Sequence, residues 1–448
     1  MAITIIDQVN VAPPPGAAAP EQTLPLQHFD MIWLPYHLMQ NLFFYSFPCS
    51  ESNFSDTIIP NLKKSLSLTL KHFPPFAGKI IFPLTSPNTP PLSHYISGDA
   101  ISLTIAVSNA DLIPLTENNL SRDSDQFHHF VPELPPATHS PEQIRFAVAA
   151  VQVTLFPNQG ICVGFTNHQA IGDGSSTVGF LQTWALINKS NGREFLSPFY
   201  ERNIVPNSDK LIQSCWEIIR TYKPTLSSSV SLPTYKTRAT FILTEAEIQH
   251  LKNFVKNKNP GPNVSSFAVI CAYVWTCLAQ STVDDVADDT PEYFTCTADC
   301  RRRLNPPLPD NYFGNCLGLV QAESTHGRLK GKEGIVFGAE VINEAIQKTV
   351  NNERAILEGS IVGFLERRKL SGKRVFGVTG SPRFDLYGAD FGWGKPKKFE
   401  AVHIDCGGSV SLCKSREFKG GVEIGLSMKK VEMDAFEAIF NHGFKEAM

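Results

Sequence analysis

Residues 167–174 read Asn167-His168-Gln169-Ala170-Ile171-Gly172-Asp173-Gly174, and the rest of the chain is best read outward from this octet. A histidine four places before an aspartate would set a general base beside a carboxylate-braced turn. Here the residue four before Asp173 is Gln169, and His168 stands one place too early. Upstream, the apolar runs 146–156 and 161–166, joined by Pro157-Asn158-Gln159-Gly160, predict a β-hairpin that delivers the chain into the octet. Downstream, Ser175 and Ser176 predict the cap of a helix whose apolar face includes Val178, Phe180, Leu181 and Trp184. The octet is therefore expected on a strand-to-helix turn, where rigid flanks hold an accessible tip.

Further out, Ile58, Leu62, Leu66 and Leu70 recur every fourth residue, which predicts a helix over 58–72 stopped by Pro74-Pro75. Periodicity weakens over 188–235, where a serine-rich stretch lies between Pro224 and Pro233. This span reads as a crossover, dividing the chain into an N-terminal domain 1–187, a linker 188–236 and a C-terminal domain 237–448. The second half restarts with a strand over 238–243. Thr244 and Glu247 then form a capping box for a helix carrying Ile248, Leu251 and Val255. A buried helix is expected over 265–280, an antiparallel pair over 401–413 and 421–428, and a last helix to about 441. Strands and helices mix in both halves, so the fold class is α/β with two units of similar size.

Composition excludes several functions. The 448 residues carry 40 lysines and arginines against 43 acids, a net charge of −3 that gives no footing for nucleic acid or an anionic membrane. No apolar run is long enough to cross a bilayer, and the N-terminus lacks the basic start of a secretory signal. Ten cysteines are scattered singly, with Cys296 and Cys300 the only close spacing and no second pair at zinc distance. A cytoplasmic protein with reduced thiols and no metal is expected. Nothing suggests an obligate interface, so the expected state is a monomer.

Six separated motifs carry a resemblance. They are His28-Phe29-Asp30 with Trp33 and Pro35; Phe73-Pro74-Pro75-Phe76-Ala77-Gly78-Lys79; the 167–174 octet; Asp299-Cys300-Arg301-Arg302-Arg303; Tyr312-Phe313-Gly314-Asn315-Cys316; and Asp390-Phe391-Gly392-Trp393-Gly394. In this order, over nearly the whole chain, they resemble the plant BAHD acyltransferases. The fifth motif, with the stretch 380–387, is similar to the branch that acylates sugar hydroxyls of anthocyanins, flavonoids and other phenolic glucosides. The resemblance implies a chloramphenicol acetyltransferase-like fold, two mixed-sheet domains with a channel between them. It also implies an acyl-CoA co-substrate carrying a malonyl or hydroxycinnamoyl group, with no permanently bound cofactor.

In that family a neutral imidazole takes the proton of the acceptor hydroxyl, and the aspartate four residues on braces the turn through an arginine. The resemblance places the brace at Asp173 and its partner at Arg301. It places the base at Gln169, a carboxamide without useful basicity. In an extended chain, His168 projects to the face opposite its neighbour, which points to a structural role. Gln169, Asp173 and His168 are the candidate catalytic positions. Three readings of Gln169 stand open: a substituted chain that holds substrates unreacted, a natural member that has other chemistry such as a lyase or retains weak transfer by proximity alone, and a non-catalytic binder of a ligand or partner. Around the site, Asp390, Gly392, Trp393 and Gly394 read as an architectural turn. Ser265 and Ser266, at a helix start, could meet coenzyme A phosphates or simply cap the helix.

Overall fold

The computed structural model describes residues 3–15, 20–118, 121–190, 197–206, 208–227, 230–260 and 264–446. Parts of the expected crossover, 191–196, 207 and 228–229, lie outside the described residues.

Three sheets form the frame. The first has six strands in the order Ile3–Val11, Ile101–Ser108, Ala149–Phe156, Gly160–Asn167, Met39–Tyr45 and Lys398–Ala401. Its two central strands, Ala149–Phe156 and Gly160–Asn167, are buried at all positions, as expected where both sheet faces are covered. They pair antiparallel from Ala149 opposite Asn167 to Phe156 opposite Gly160, which is the hairpin expected from the sequence. The second sheet has seven strands and belongs mainly to the C-terminal half. It contains the antiparallel pair Ser409–Lys414 and Val422–Met428, followed by Thr237–Leu243.

The third sheet, with five strands, was not foreseen. The run read as one strand over 146–156 divides at Val148: Gln143–Ala147 pairs with Lys79–Pro83 in the third sheet, and Ala149–Phe156 enters the first. Continuous apolarity hides such a switch, because Phe146 near the end of the first piece is as buried as the whole of the second. The 401–413 run is likewise not one strand. Lys398–Ala401 is followed by a 3-10 turn, Val402–Cys406, and then by a bend at Gly407 and Gly408 (φ 116° and 69°). Glycine readily adopts such positive φ values.

The two halves are interlocked. Lys398–Ala401, from the C-terminal half, is the edge strand of the first sheet beside Met39–Tyr45. Reciprocally, Arg122–Asp123 joins the second sheet beside Thr237–Leu243. A buried ion cluster marks the exchange. Glu400 meets Arg122 at 2.8 Å and Arg238 at 3.1 Å, and Arg238 also meets Asp405 at 2.6 Å. Burial alone would raise the Glu400 carboxyl, but Arg122, Lys398 and Arg238 hold it down at about 2.

The first domain edge drawn from the sequence falls inside structure, whereas the second, at 236–237, coincides with the start of the strand Thr237–Leu243. The helix after the octet, Gly174–Ser190, runs through residue 187. The expected linker contains the helix Ser208–Ile219, whose Cys215, Trp216 and Ile219 join the N-terminal core. Ile212 and Ile218 pack partly buried against the same core, so the apolar stripe recurs at helical spacing and was overlooked within the span read as a crossover. Elsewhere the periodic segments fold as expected. Leu62, Leu66 and Leu70 are buried on the helix Ile59–His72, and Thr244 and Glu247 close the reciprocal capping box. No helix among the described residues is long and apolar enough to cross a membrane.

Candidate functional site

The octet sits where the strand Gly160–Asn167 ends. His168 is still extended (φ −80°, ψ 124°), and a single 3-10 turn, Gln169–Ile171, follows before the helix Gly174–Ser190. Two contacts pin the turn to the N-terminal half. The His168 N–H donates to the Val148 carbonyl at 2.8 Å, using the backbone freed by the sheet switch. The Ala170 N–H donates to His168 Nδ1 at 3.1 Å. The His168 ring is fully buried and lies 5.4 Å from the Phe146 ring, centre to centre. Burial pushes its pKa down to about 4, the nearby carbonyls of Leu34 and Thr225 offsetting only part of that fall. His168 is thus a neutral core side chain that shapes the turn.

Asp173 is the pivot between the halves. Its carboxylate accepts Arg301 Nη1 at 2.7 Å and Arg301 Nη2 at 3.0 Å. It also accepts the N–H groups of Ser175 at 3.1 Å and Ser176 at 3.3 Å. The helix cap is therefore Asp173, not Ser175 or Ser176 as the sequence suggested. The carboxylate also offers the negative charge that a helix N-terminus favours. Arg301 Nη2 additionally donates to the carbonyls of Tyr312 and Gly314, at 3.2 and 3.0 Å. Burial works against the charge on Arg301, but Asp173 and Asp299 more than offset it, and its pKa lies above the ordinary value.

Gln169 is the tip. From Thr166 to Asp173 the other side chains are sealed, whereas Gln169 keeps 9% of its surface open. Its Nε2 donates to Asn315 Oδ1 at 3.3 Å, and Asn315 Nδ2 returns a bond to the Gln169 carbonyl at 2.9 Å. Asn315 is itself held by Asp30, whose Oδ1 accepts the Asn315 N–H at 2.8 Å and Nδ2 at 2.9 Å. Asp30 Oδ2 accepts the Gln27 N–H at 2.9 Å and Arg202 Nη1 at 3.3 Å. Burial pushes the Asp30 carboxyl up, and Arg202 and the Asn315 donors pull it back.

Asn315 and Asp30 stood within motifs recognised in the sequence, but neither was assigned a contact with the octet. Arg202 lay in the crossover and was missed entirely. No local pattern marked it; in the structure Gly314 adopts φ 131°, and a Cβ there would lie 2.1 Å from Arg202 Nη1, so the glycine leaves the arginine its path.

Other expected positions lie elsewhere. Asp390 Oδ1 accepts the N–H groups of Gly392 at 2.8 Å and Gly394 at 2.9 Å, and Trp393 packs edge-on against Tyr45 at 5.3 Å. Tyr45 is at the opposite end of its strand from Met39, the partner of Asn167, about 20 Å away by strand rise. Asp390, Gly392, Trp393 and Gly394 therefore form a remote turn rather than part of the site. Ser265 caps the helix Ser266–Gln280, accepting the Ala268 N–H at 3.1 Å, and Ser266 is exposed beside it. His37 and His403 stack 6.0 Å apart. The His403 ring is held by the Gln40 backbone and by Thr379, and burial pushes it down to about 3.

Chemically, the arrangement presents an amide at the tip of a braced turn. Around it, contacts from both halves of the chain converge on two carboxylates, Asp173 and Asp30.

Comparison with known proteins follows this geometry. A family model described as Transferase family matches residues 1–442. Phenolic glucoside malonyltransferase 1 of Nicotiana tabacum is 44% identical, over 98% of this chain and 99% of the tobacco protein. Malonyl-coenzyme:anthocyanin 5-O-glucoside-6'''-O-malonyltransferase of Salvia splendens is 40% identical, over 98% of this chain and 94% of its own length. Among solved structures, that of vinorine synthase superposes with a TM-score of 0.69 over 97% of this chain and 96% of its own, at 20% identity, a likeness of fold.

Proposed function

The chain belongs to the BAHD transferase family of acyltransferases, and on that premise we propose that it transfers a malonyl or hydroxycinnamoyl group from coenzyme A to a sugar hydroxyl of a phenolic glucoside, slowly as it stands. Malonyl is the favoured group, because the tobacco and Salvia relatives carry it in their names. The favoured acceptor atom is the primary 6-oxygen of glucose, which the Salvia name specifies and which is the least hindered hydroxyl. Acyl-CoA enters as a co-substrate, with Ser265 and Ser266 as the proposed contact for its phosphates. The proposed working form is a cytosolic monomer.

The observation that carries this reading is Gln169 at the open tip of a turn whose Asp173–Arg301 brace is complete. In the transfer, the acceptor oxygen bonds to the thioester carbonyl carbon, the carbon–sulfur bond breaks, and the hydroxyl proton must reach the departing thiolate. A base that carries the proton is worth roughly 10²–10⁴-fold. Gln169 cannot supply it, so the remaining rate rests on holding the two substrates together.

The test is thiol release from malonyl-CoA and p-coumaroyl-CoA with a flavonoid glucoside as acceptor. Slow native turnover that rises on Gln169→His supports the proposal. Rapid native turnover overturns the impairment, and no transfer by the Gln169→His chain overturns the acyltransfer reading.

A further inference from the structure

The Asn315 contacts settle which way the Gln169 amide faces. Both N–H bonds of Asn315 Nδ2 are committed, one to Asp30 Oδ1 at 2.9 Å and one to the Gln169 carbonyl at 2.9 Å. Asp30, with four donors converging on its two oxygens, acts as the acceptor in that pair. Asn315 therefore has only its Oδ1 to offer the Gln169 side chain, and an acceptor requires a donor opposite it. That donor is Gln169 Nε2, at 3.3 Å. The reverse amide orientation would set two carbonyl oxygens against each other in a buried site. Gln169 Oε1 is left facing away from Asn315. No described residue donates to it, and it is not sealed from solvent.

An outward amide oxygen is a hydrogen-bond acceptor that cannot be protonated at neutral pH. We propose that Gln169 is a hydroxyl-binding residue: its Oε1, aimed by the Asp30–Asn315 relay, accepts the O–H of the acceptor sugar's 6-hydroxyl and holds it without removing its proton. This rests on the acyltransferase reading above and names what the changed residue does in it. The site then recognises a primary sugar alcohol in the ground state, and the bound glucoside persists beside coenzyme A.

The experiment is a binding cycle that needs no turnover. A flavonoid 3-O-glucoside and its 6-deoxyglucose counterpart are titrated by calorimetry into the protein saturated with free coenzyme A. The same titrations are run on Gln169→Leu, which keeps the size and removes the acceptor. The proposal expects the 6-deoxy compound to bind the native chain about tenfold more weakly, the order of one net hydrogen bond. It expects Gln169→Leu to bind both compounds alike, at the weaker affinity. Equal affinity of the native chain for the two compounds overturns it without recourse to any variant, as does a Gln169→Leu chain that still discriminates between them. Thiol release by Gln169→His separates the two readings. If that variant transfers acyl groups while the native chain ignores the 6-hydroxyl, only the hydroxyl-binding role fails. If the native chain binds no glucoside and Gln169→His transfers nothing, both fail.

Discussion

Asp173 and Arg301, 128 residues apart, meet through two buried contacts, Nη1 to Oδ2 at 2.7 Å and Nη2 to Oδ1 at 3.0 Å. The pair fastens the turn of the N-terminal half to the segment 312–316 of the C-terminal half, because Arg301 also holds the Tyr312 and Gly314 carbonyls. Arg301→Met leaves the Asp173 carboxylate buried without its cation, and breaking such a pair costs about 3–5 kcal/mol. Urea unfolding of the native and variant chains measures it. A loss under 1 kcal/mol would show that the brace is not structural.

Restoring an imidazole by Gln169→His raises thiol release by roughly 10²–10⁴-fold. The variant's rate also acquires a pH dependence that the native chain lacks. Activity climbs as pH rises through the imidazole pKa, ordinarily near 6.5, because the neutral ring is the base. Comparing pH–rate profiles over pH 5–8 checks both features.

His168 predicts the opposite result. Its pKa of about 4 leaves it neutral over that range, with Nδ1 engaged by the Ala170 N–H. In the Gln169→His background, His168→Asn lowers stability by about 1 kcal/mol through the weakened turn and leaves the shape of the pH–rate profile unchanged. A vanished pH dependence would make His168 the working base.

Three buried histidines set a pH window for stability. Burial pushes His28 and His403 down to about 3 and His168 to about 4, in each case against backbone hydrogen bonds that raise it. The unfolded chain binds these protons below about pH 6.5, whereas the folded chain resists them until about pH 4 or lower. Stability therefore falls as pH drops from about 6.5 toward 4, with a net uptake of protons by these histidines on unfolding. Glu400, held at about 2, contributes its loss only below its ordinary value of 4.5. Urea midpoints at pH 7, 6 and 5 follow this window, and a flat series would contradict it.

The remote turn separates stability from chemistry. Trp393→Ala removes packing on Tyr45 and Phe47 and costs about 3 kcal/mol. In the Gln169→His background it changes thiol release at saturating substrate by less than a few-fold. A loss as large as that of the missing imidazole would return the turn to the site.

The sequence showed these features unevenly, for physical reasons. The hairpin, the capping box at Thr244 and the helix Ile59–His72 were legible because each depends on local pattern. Asp173 and Arg301 could be paired through the family resemblance, and Gln169 stood out as a departure from it. The Asp30–Asn315–Gln169 relay was not visible, since its members are up to 285 residues apart and leave no periodic trace. The switch at Val148 and the strand exchange were hidden for a related reason. A strand's own residues show that it will be buried, but not which sheet will bury it.

The exchanged strand also bears on how the protein is made. Met39–Tyr45 gains its outer neighbour only when Lys398–Ala401 has been synthesised. At ribosomal speeds of about 5–20 residues per second, that is a wait of about 20–70 s. Throughout it, an edge carrying Leu42, Phe43 and Phe44 lacks its outer partner in the nascent chain, a template for pairing with another chain.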